Sequence, residues 1–348
     1  MVLLEHYLMG EKFEEGGSSR GGRKGKGKIV ATGVGAPERF ISVTEAANFE
    51  EWKRKRRKIA PGHKVDLSDM ECMEIIPNLF EDIGWGPLLS VNILYYPKII
   101  YEFYVNLHKG SIQKQGNITY NWVTSRVGGR DISFDDRLLN HILGTPQNGI
   151  RFYTKNKKCF DPNLYSERRF EEIFTKGEVL KRHDDRNVNK LDAYEILLQY
   201  MISNIVIPNV GHKFSITNMH SFVMLVLHEH RRMNFGYMAI EHMLATQTSS
   251  TKCFPYGCFL TRVFQYFVLS LVGVGDPIGA RKIYNKHTFK RMGFAKNEEG
   301  MLVRGGQDDN DESDRYDEDD EGNKEQETKN LMKRKVKKNR KSRPIEEK

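Results

Sequence analysis

Cysteine is scarce in this chain: there are four in 348 residues, at positions 72, 159, 253 and 258. They are too few and too scattered for the disulfide framework of a small secreted domain, and they point to a reducing compartment. Long apolar runs are also missing. Val2, Leu3 and Leu4 run straight into Glu5 and His6, so no secretory leader is expected. The greasiest stretch, residues 258–274, is interrupted by Arg262 and Gln265. It falls short of the ~20 apolar residues a bilayer span needs, so it reads as a buried helix and no membrane partner is expected. No internal repeat and no sustained heptad seam occurs, which excludes solenoids and long coiled coils.

Aromatic residues, by contrast, are plentiful. Nineteen Phe, fifteen Tyr and three Trp fall mostly between residues 40 and 295, enough for a substantial core, while 1–35 and 305–348 contain very few. The net charge is +9, and its distribution matters more than its sum, because blocks of like charge gather at the ends. Residues 307–329 carry 3 basic and 12 acidic side chains, and residues 330–348 carry 9 basic and 2 acidic ones. Residues 14–36 are rich in Gly, Ser, Lys and Arg and have almost nothing apolar to bury, so ordering them would cost backbone entropy without return. The expected organisation is a disordered Gly/basic leader (1–39), one helical domain (40–295) and a disordered acidic-then-basic tail (296–348).

The most informative stretch is 95–146. Pro97 suits a first helical position, and Ile99, Ile100, Phe103, Tyr104 and Leu107 follow at helical spacing up to Gly110. Ile118, Tyr120 and Trp122 then alternate. Val123, Val127, the pair Gly128-Gly129, Ile132 and Phe134 complete the pattern of a β-hairpin over 116–134 with a two-residue primed turn. Ser133 is placed to cap a helix through Leu138, Leu139, Ile142 and Leu143, with Asp136 at the third position and Gly144 and Pro146 closing it.

Elsewhere, Ser42 with Glu45 and Ser68 with Glu71 form capping boxes, the first opening a helix to about residue 59. Pro77 starts a turn around Leu79, Phe80 and Ile83, and Ser166 caps a short helix through Phe170 and Phe174. Residues 193–207 and 216–230 (capped by Ser215 or Thr217), with 236–245 and 256–272, are apolar on most faces, which marks interior helices. The expected fold is mainly α: a multi-helix bundle carrying one small hairpin on its side.

Three blocks bear a family resemblance. They are the runs 101–107 (YEFYVNL), 127–134 (VGGRDISF) and 140–146 (NHILGTP), followed in order by Ile207-Pro208, Met233-Asn234-Phe235-Gly236 and Phe254-Pro255. Together they resemble the plant transposon protein family of domains over roughly residues 40–294. The resemblance implies descent from a plant mobile element, and it brings no catalytic residues with it.

Candidate chemistry is thin. His228 and His230 stand two apart, so on a helix they point about 200° away from each other and cannot share an ion. His220 and His242 with the widely spaced Cys253 and Cys258 make no recognisable zinc set, so neither a metal nor a cofactor is expected. A transposase of the two-metal type needs converging carboxylates, for which Asp131, Asp135 and Asp136, with Glu195 or Glu241, are the nearest candidates. The glycines at 273, 275 and 279 enclose Pro277 and lack a following Gly-Lys-Ser/Thr, which makes them a turn. Ser221 and Ser270 lie in no nucleophile elbow.

Basic runs are the positive signal. Lys53, Arg54, Lys55, Arg56, Arg57 and Lys58 are consecutive, and Lys333, Arg334, Lys335, Lys337, Lys338, Arg340 and Lys341 follow the acidic run. Both suit phosphate contact or nuclear import, against a plain reading as a helix-end charge cluster and a solubilising tail. The sequence therefore reads as a non-enzymatic nuclear module derived from a plant mobile element, with protein partners and salt-sensitive attraction to DNA or RNA. A metal-dependent transposase or nuclease and a scaffold without nucleic-acid contact are the alternatives; the oligomeric state is not encoded legibly.

Overall fold

The computed structural model describes residues 39–304 apart from 63, 67–74, 92–93, 116–117, 155–159, 176–190, 209–215, 250–251, 272–274, 280–282, 286–288, 291 and 299–301. The Ser68–Glu71 capping box, Cys72, Cys159, the leader at 14–36 and both charged runs of the tail lie outside the described residues. Within the described residues the fold is mainly α, with ten α-helices and small sheets.

Helix α1 (Val43–Arg54) starts where the Ser42 side chain accepts a bond from the Thr44 amide. It ends five residues before the sequence-based limit, because six consecutive cations repel one another along a helix. Arg56 adopts φ 48°, which turns the chain and sends the Arg57 side chain inward. Helix α2 (Ile75–Asp82) leads through Gly84 into the short α3 (Gly86–Leu89). Trp85 between them is fully buried and donates from its indole to the Met233 carbonyl at 3.1 Å.

Pro97 opens α4 (Pro97–Val105) as expected. Gly110 does not end that helix; Asn106 caps it, and Gly110 lies in a strand. This strand, β2 (His108–Gln115), makes the expected hairpin a three-stranded antiparallel sheet, β2–β3–β4, with β3 (Ile118–Val127) and β4 (Arg130–Phe134). The sequence HKGSIQKQ lacks the apolar alternation that marks a half-buried strand, so it was invisible to periodicity. Lysine-rich strands of this kind suit a sheet edge. The β3–β4 turn places Gly128 and Gly129 at φ 58° and 80°, the pair of positive values a primed turn demands. Buried Val123, Val127, Ile132 and Phe134 face α4, with Phe134 stacked on Phe103 at 6.2 Å.

Helix α5 (Asp136–Leu143) is capped by Asp135, not Ser133, which belongs to β4; Asp135 accepts from the Leu138 amide at 2.9 Å. The left-handed Gly144 closes it. Helix α6 (Glu167–Phe174) is capped by Ser166. Helix α7 (Ala193–Met201) continues into a π-helical stretch, Ile202–Val206, before Pro208. Helix α8 (Asn218–His228), capped by Thr217, has every residue from Met219 to Leu227 buried, so it is the axis of the core. Helices α9 (Phe235–Gln247) and α10 (Gly257–Tyr266) complete the bundle. The last helix stops six residues short of the sequence-based limit, and Val268 at φ 53° marks the break.

Two further strand pairs have no counterpart in the sequence reading. A parallel pair joins β1 (Lys64–Val65) to β5 (Ile283–Tyr284), and an antiparallel pair joins β6 (Phe294–Lys296) to β7 (Leu302–Arg304). The second crosses the domain limit set at residue 295. No described helix is long and apolar enough to cross a membrane.

Candidate functional site

The first of two places where chemistry gathers is the basic ridge after α1. Lys53, Arg54, Lys55, Arg56 and Lys58 are exposed; Arg57 is not. Its guanidinium lies 3.9 Å from the Phe254 ring centroid and 4.9 Å from that of Trp52. It donates to the carbonyls of Lys252 (3.0 Å), Thr246 (2.7 Å) and Ser249 (2.5 Å), while the Tyr101 hydroxyl donates to its own carbonyl. Burial lowers its pKa from the ordinary arginine value. Arg57 is therefore an anchor that fastens the ridge to the α9–α10 connection. The Phe254 amide also donates to the Lys58 carbonyl at 3.0 Å, and the Ala60 amide donates to the Phe254 carbonyl at 2.8 Å. Along α1, Glu51 and Lys55 meet at 2.6 Å, and Glu50 lies 4.0 Å from Lys53. Exposed pairs of this kind add little to stability.

On the other side of the same connection is a cleft of about 380 Å³ lined by Tyr153, Ile207, Pro208, Met219, His220, Lys252 and neighbours that include Thr154, Thr217, Asn218, His242, Thr246 and Cys253. The π-helical stretch sets its apolar wall, since the widened turn delivers Ile207 and Pro208 to the edge of the bundle. His242 bridges the wall and the aromatic side: its Nε2 lies 3.3 Å from the Pro208 carbonyl and its Nδ1 lies 2.8 Å from the Tyr153 hydroxyl. A carbonyl only accepts, so the neutral ring carries its proton on Nε2 and accepts from Tyr153 on Nδ1. Burial, then the nearby Glu241 charge, pushes the Tyr153 pKa up, which keeps that hydroxyl a donor. His220 belongs to the first turn of α8, where its Nδ1 and amide exchange bonds with Thr217 as a capping box.

Four of the acids weighed for a two-metal site, Asp131, Asp135, Asp136 and Glu241, are engaged with basic side chains. Asp131, near the hairpin tip, is paired with Arg126 across the strands, and this bond lowers its pKa. Roughly 13 Å of extended strand separates it from Asp135. Asp135 caps α5 and accepts from Arg137 at 2.7 Å. Asp136 is fully buried; Arg151 grips both its oxygens and Asn234 donates to it at 2.8 Å. Asn234 in turn bonds Asn140, whose oxygen accepts from the Gly236 amide at 2.7 Å, so this polar network locks α5 to α9. Glu241 lies 3.6 Å from Lys109. His228 packs on the Phe174 ring, while His230 lies beyond the end of α8 at φ 51° and pairs with Asp82 at 2.9 Å, so the two histidines are engaged in different contacts although the helical spacing assumed from the sequence does not apply to them. Among the described residues no group of three or more His, Cys, Asp or Glu side chains is placed to hold a metal ion.

Sequence reasoning found the ridge but not the role of Arg57, and it missed the cleft. Tyr153, Lys252 and Pro208 are a hundred residues apart at the extremes, and no local pattern joins them. The one available signal was the apolar helix 193–207 running into Pro208.

The family model described as "Putative plant retrotransposon-related domain" matches residues 81–268. All the cleft's lining residues fall within that span; the ridge precedes it. None of the curated proteins and none of the solved structures matches the chain.

Proposed function

The chain belongs to the plant retrotransposon-related domain family, and from this premise we propose that it works as a non-enzymatic module of mobile-element origin, in the nucleus, through protein contacts and attraction to nucleic acid. The observation that carries the proposal is the ridge: five exposed cations project from a segment that the half-buried Arg57 fastens to the core. A flexible cationic tail must be ordered on binding, whereas a fastened run presents its charges already aligned, which lowers the entropic cost. The basic run at 330–348 adds further positive charge, and contacts between lysine or arginine and phosphate are made to any sequence.

The test is the salt dependence of binding. Deleting residues 14–36 and 330–348 together lowers the slope of log affinity against log salt, by ~0.7–0.9 for each phosphate that the shortened chain no longer neutralises. A slope unchanged by the deletion counts against the tails, and no binding at low salt returns the module to a scaffold role. For the location, residues 330–348 fused to a cytosolic reporter carry it into the nucleus; an unaltered distribution rejects the import reading.

A further inference from the structure

We propose that the cleft receives an unpaired base of a single-stranded nucleic acid whose phosphates run along the ridge at 53–58. This rests on the phosphate-binding reading of the ridge and adds to it a strandedness that the ridge alone does not impose.

The two features share one piece of chain. Arg57 bonds the carbonyls of Thr246 and Lys252, two residues that line the cleft, and the Lys58 carbonyl is bonded to the residue after Cys253. The ridge and the cleft are therefore neighbours across one connection, with Lys252 belonging to both. The lining matches a base better than other occupants. A base has flat apolar faces and hydrogen-bonding edges, and unstacked bases are received by aromatic rings beside polar edge contacts. Here the apolar surface comes from Ile207, Pro208 and Met219, the ring from half-buried Tyr153, and the polar edge from Thr154, Asn218 and His220. A free phosphate would find Lys252 as the single lysine or arginine among the lining residues.

The geometry is set in advance. The Tyr153 ring is held by its hydroxyl bond to His242, and His242 by the Pro208 carbonyl, so the ring does not have to be ordered on binding. A volume of about 380 Å³ lies within the range of small-molecule sites. A duplex must extrude a base to fill it, which costs unstacking and unpairing; a single strand avoids most of that cost.

The experiment measures fluorescence anisotropy of labelled 12-nucleotide oligouridylate, oligothymidylate and a duplex of the same length with the full chain at low salt. The expected result is tighter binding of both single strands than of the duplex; a difference between the RNA and DNA arms identifies the preferred sugar, and either preference fits. Tyr153→Ala weakens single-strand binding on the order of tenfold, the share of one stacked base, without changing the salt slope, and Tyr153→Phe recovers most of it. Asn218→Trp, at the half-buried mouth, blocks the cleft from outside and guards against a Tyr153 variant that fails to fold. Photocrosslinking with 5-bromouridine in the strand labels peptides containing Tyr153 or His220. A duplex bound as tightly as the single strands, with both Tyr153→Ala and Asn218→Trp silent, overturns the cleft proposal and leaves the ridge reading standing. Replacing Lys53, Arg54, Lys55 and Lys58 together by Gln without change in affinity or slope removes the ridge reading on which it rests.

Discussion

Arg57 shows how a single residue departs from the pattern in which it is written. It is the fifth of six consecutive cations, yet its guanidinium lies against two aromatic rings and donates to three carbonyls. The flat fork is what the site uses, with donors on two different nitrogens, and an ammonium, whose three donors diverge from a single atom, does not match acceptors laid out in that way. Arg57→Lys is accordingly expected to destabilise the fold by about 2 kcal/mol in urea unfolding, since hydrogen bonds from a charged group each contribute ~1.5–3 kcal/mol before solvent discount. Arg54→Gln, on the exposed side, is expected to stay within ~0.5 kcal/mol. Equal effects at the two positions would show that the anchor carries no special share. Asp136 makes the same point with the opposite sign: it reads as the third residue of a capping box and is in fact the buried partner of Arg151. Capping fell to Asp135 because Ser133 was still needed in the strand.

Between elements, the contact of α5 with α9 is the tightest constraint. A Cβ built on Gly236 would lie 2.4 Å from the Asp136 carbonyl oxygen and 2.9 Å from the Asn140 side chain, so the two helices approach backbone to side chain with no room for a methyl. Gly129 differs. Nothing lies within 4 Å of its Cβ position, and its restriction is the backbone angle of the primed turn alone. Gly236→Ala should therefore be the costlier change, forcing α5 and α9 apart and breaking the Asn140 bonds, at more than ~3 kcal/mol. Gly129→Ala should cost ~1–2 kcal/mol, the strain of a positive φ. Thermal unfolding of the two variants checks the order. Helices α4, α5, α6, α8, α9 and α10 were legible because their apolar spacing agrees with their tertiary roles, and for α6 and α8 a cap was legible as well. The edge strand β2 was not, because an edge strand needs few apolar side chains and leaves no alternation to read.

Across the whole molecule, the core excludes water well enough to alter ordinary chemistry. Burial pushes the Cys258 thiol up to about 12. The unfolded thiol ionises near 8.5, so the folded state binds the proton more tightly between these values. This contribution to stability is complete below about pH 8.5 and declines as pH rises toward 12. Native protein treated with iodoacetamide at pH 8 is expected to remain unmodified at Cys258 until it is unfolded, as read by peptide mass spectrometry; rapid native alkylation would mean that the α10 region opens. The amino-acid order by itself determined the family, the mainly α class, the primed hairpin turn and the basic run, because each is written within a few consecutive residues as composition, period or motif. Tertiary structure alone decided which cation turns inward, which acids are spent on helix contacts, and that Tyr153, Pro208, His220 and Lys252 enclose one cleft. Those outcomes depend on distances between residues far apart in the chain, and such distances exist only once the helices have packed.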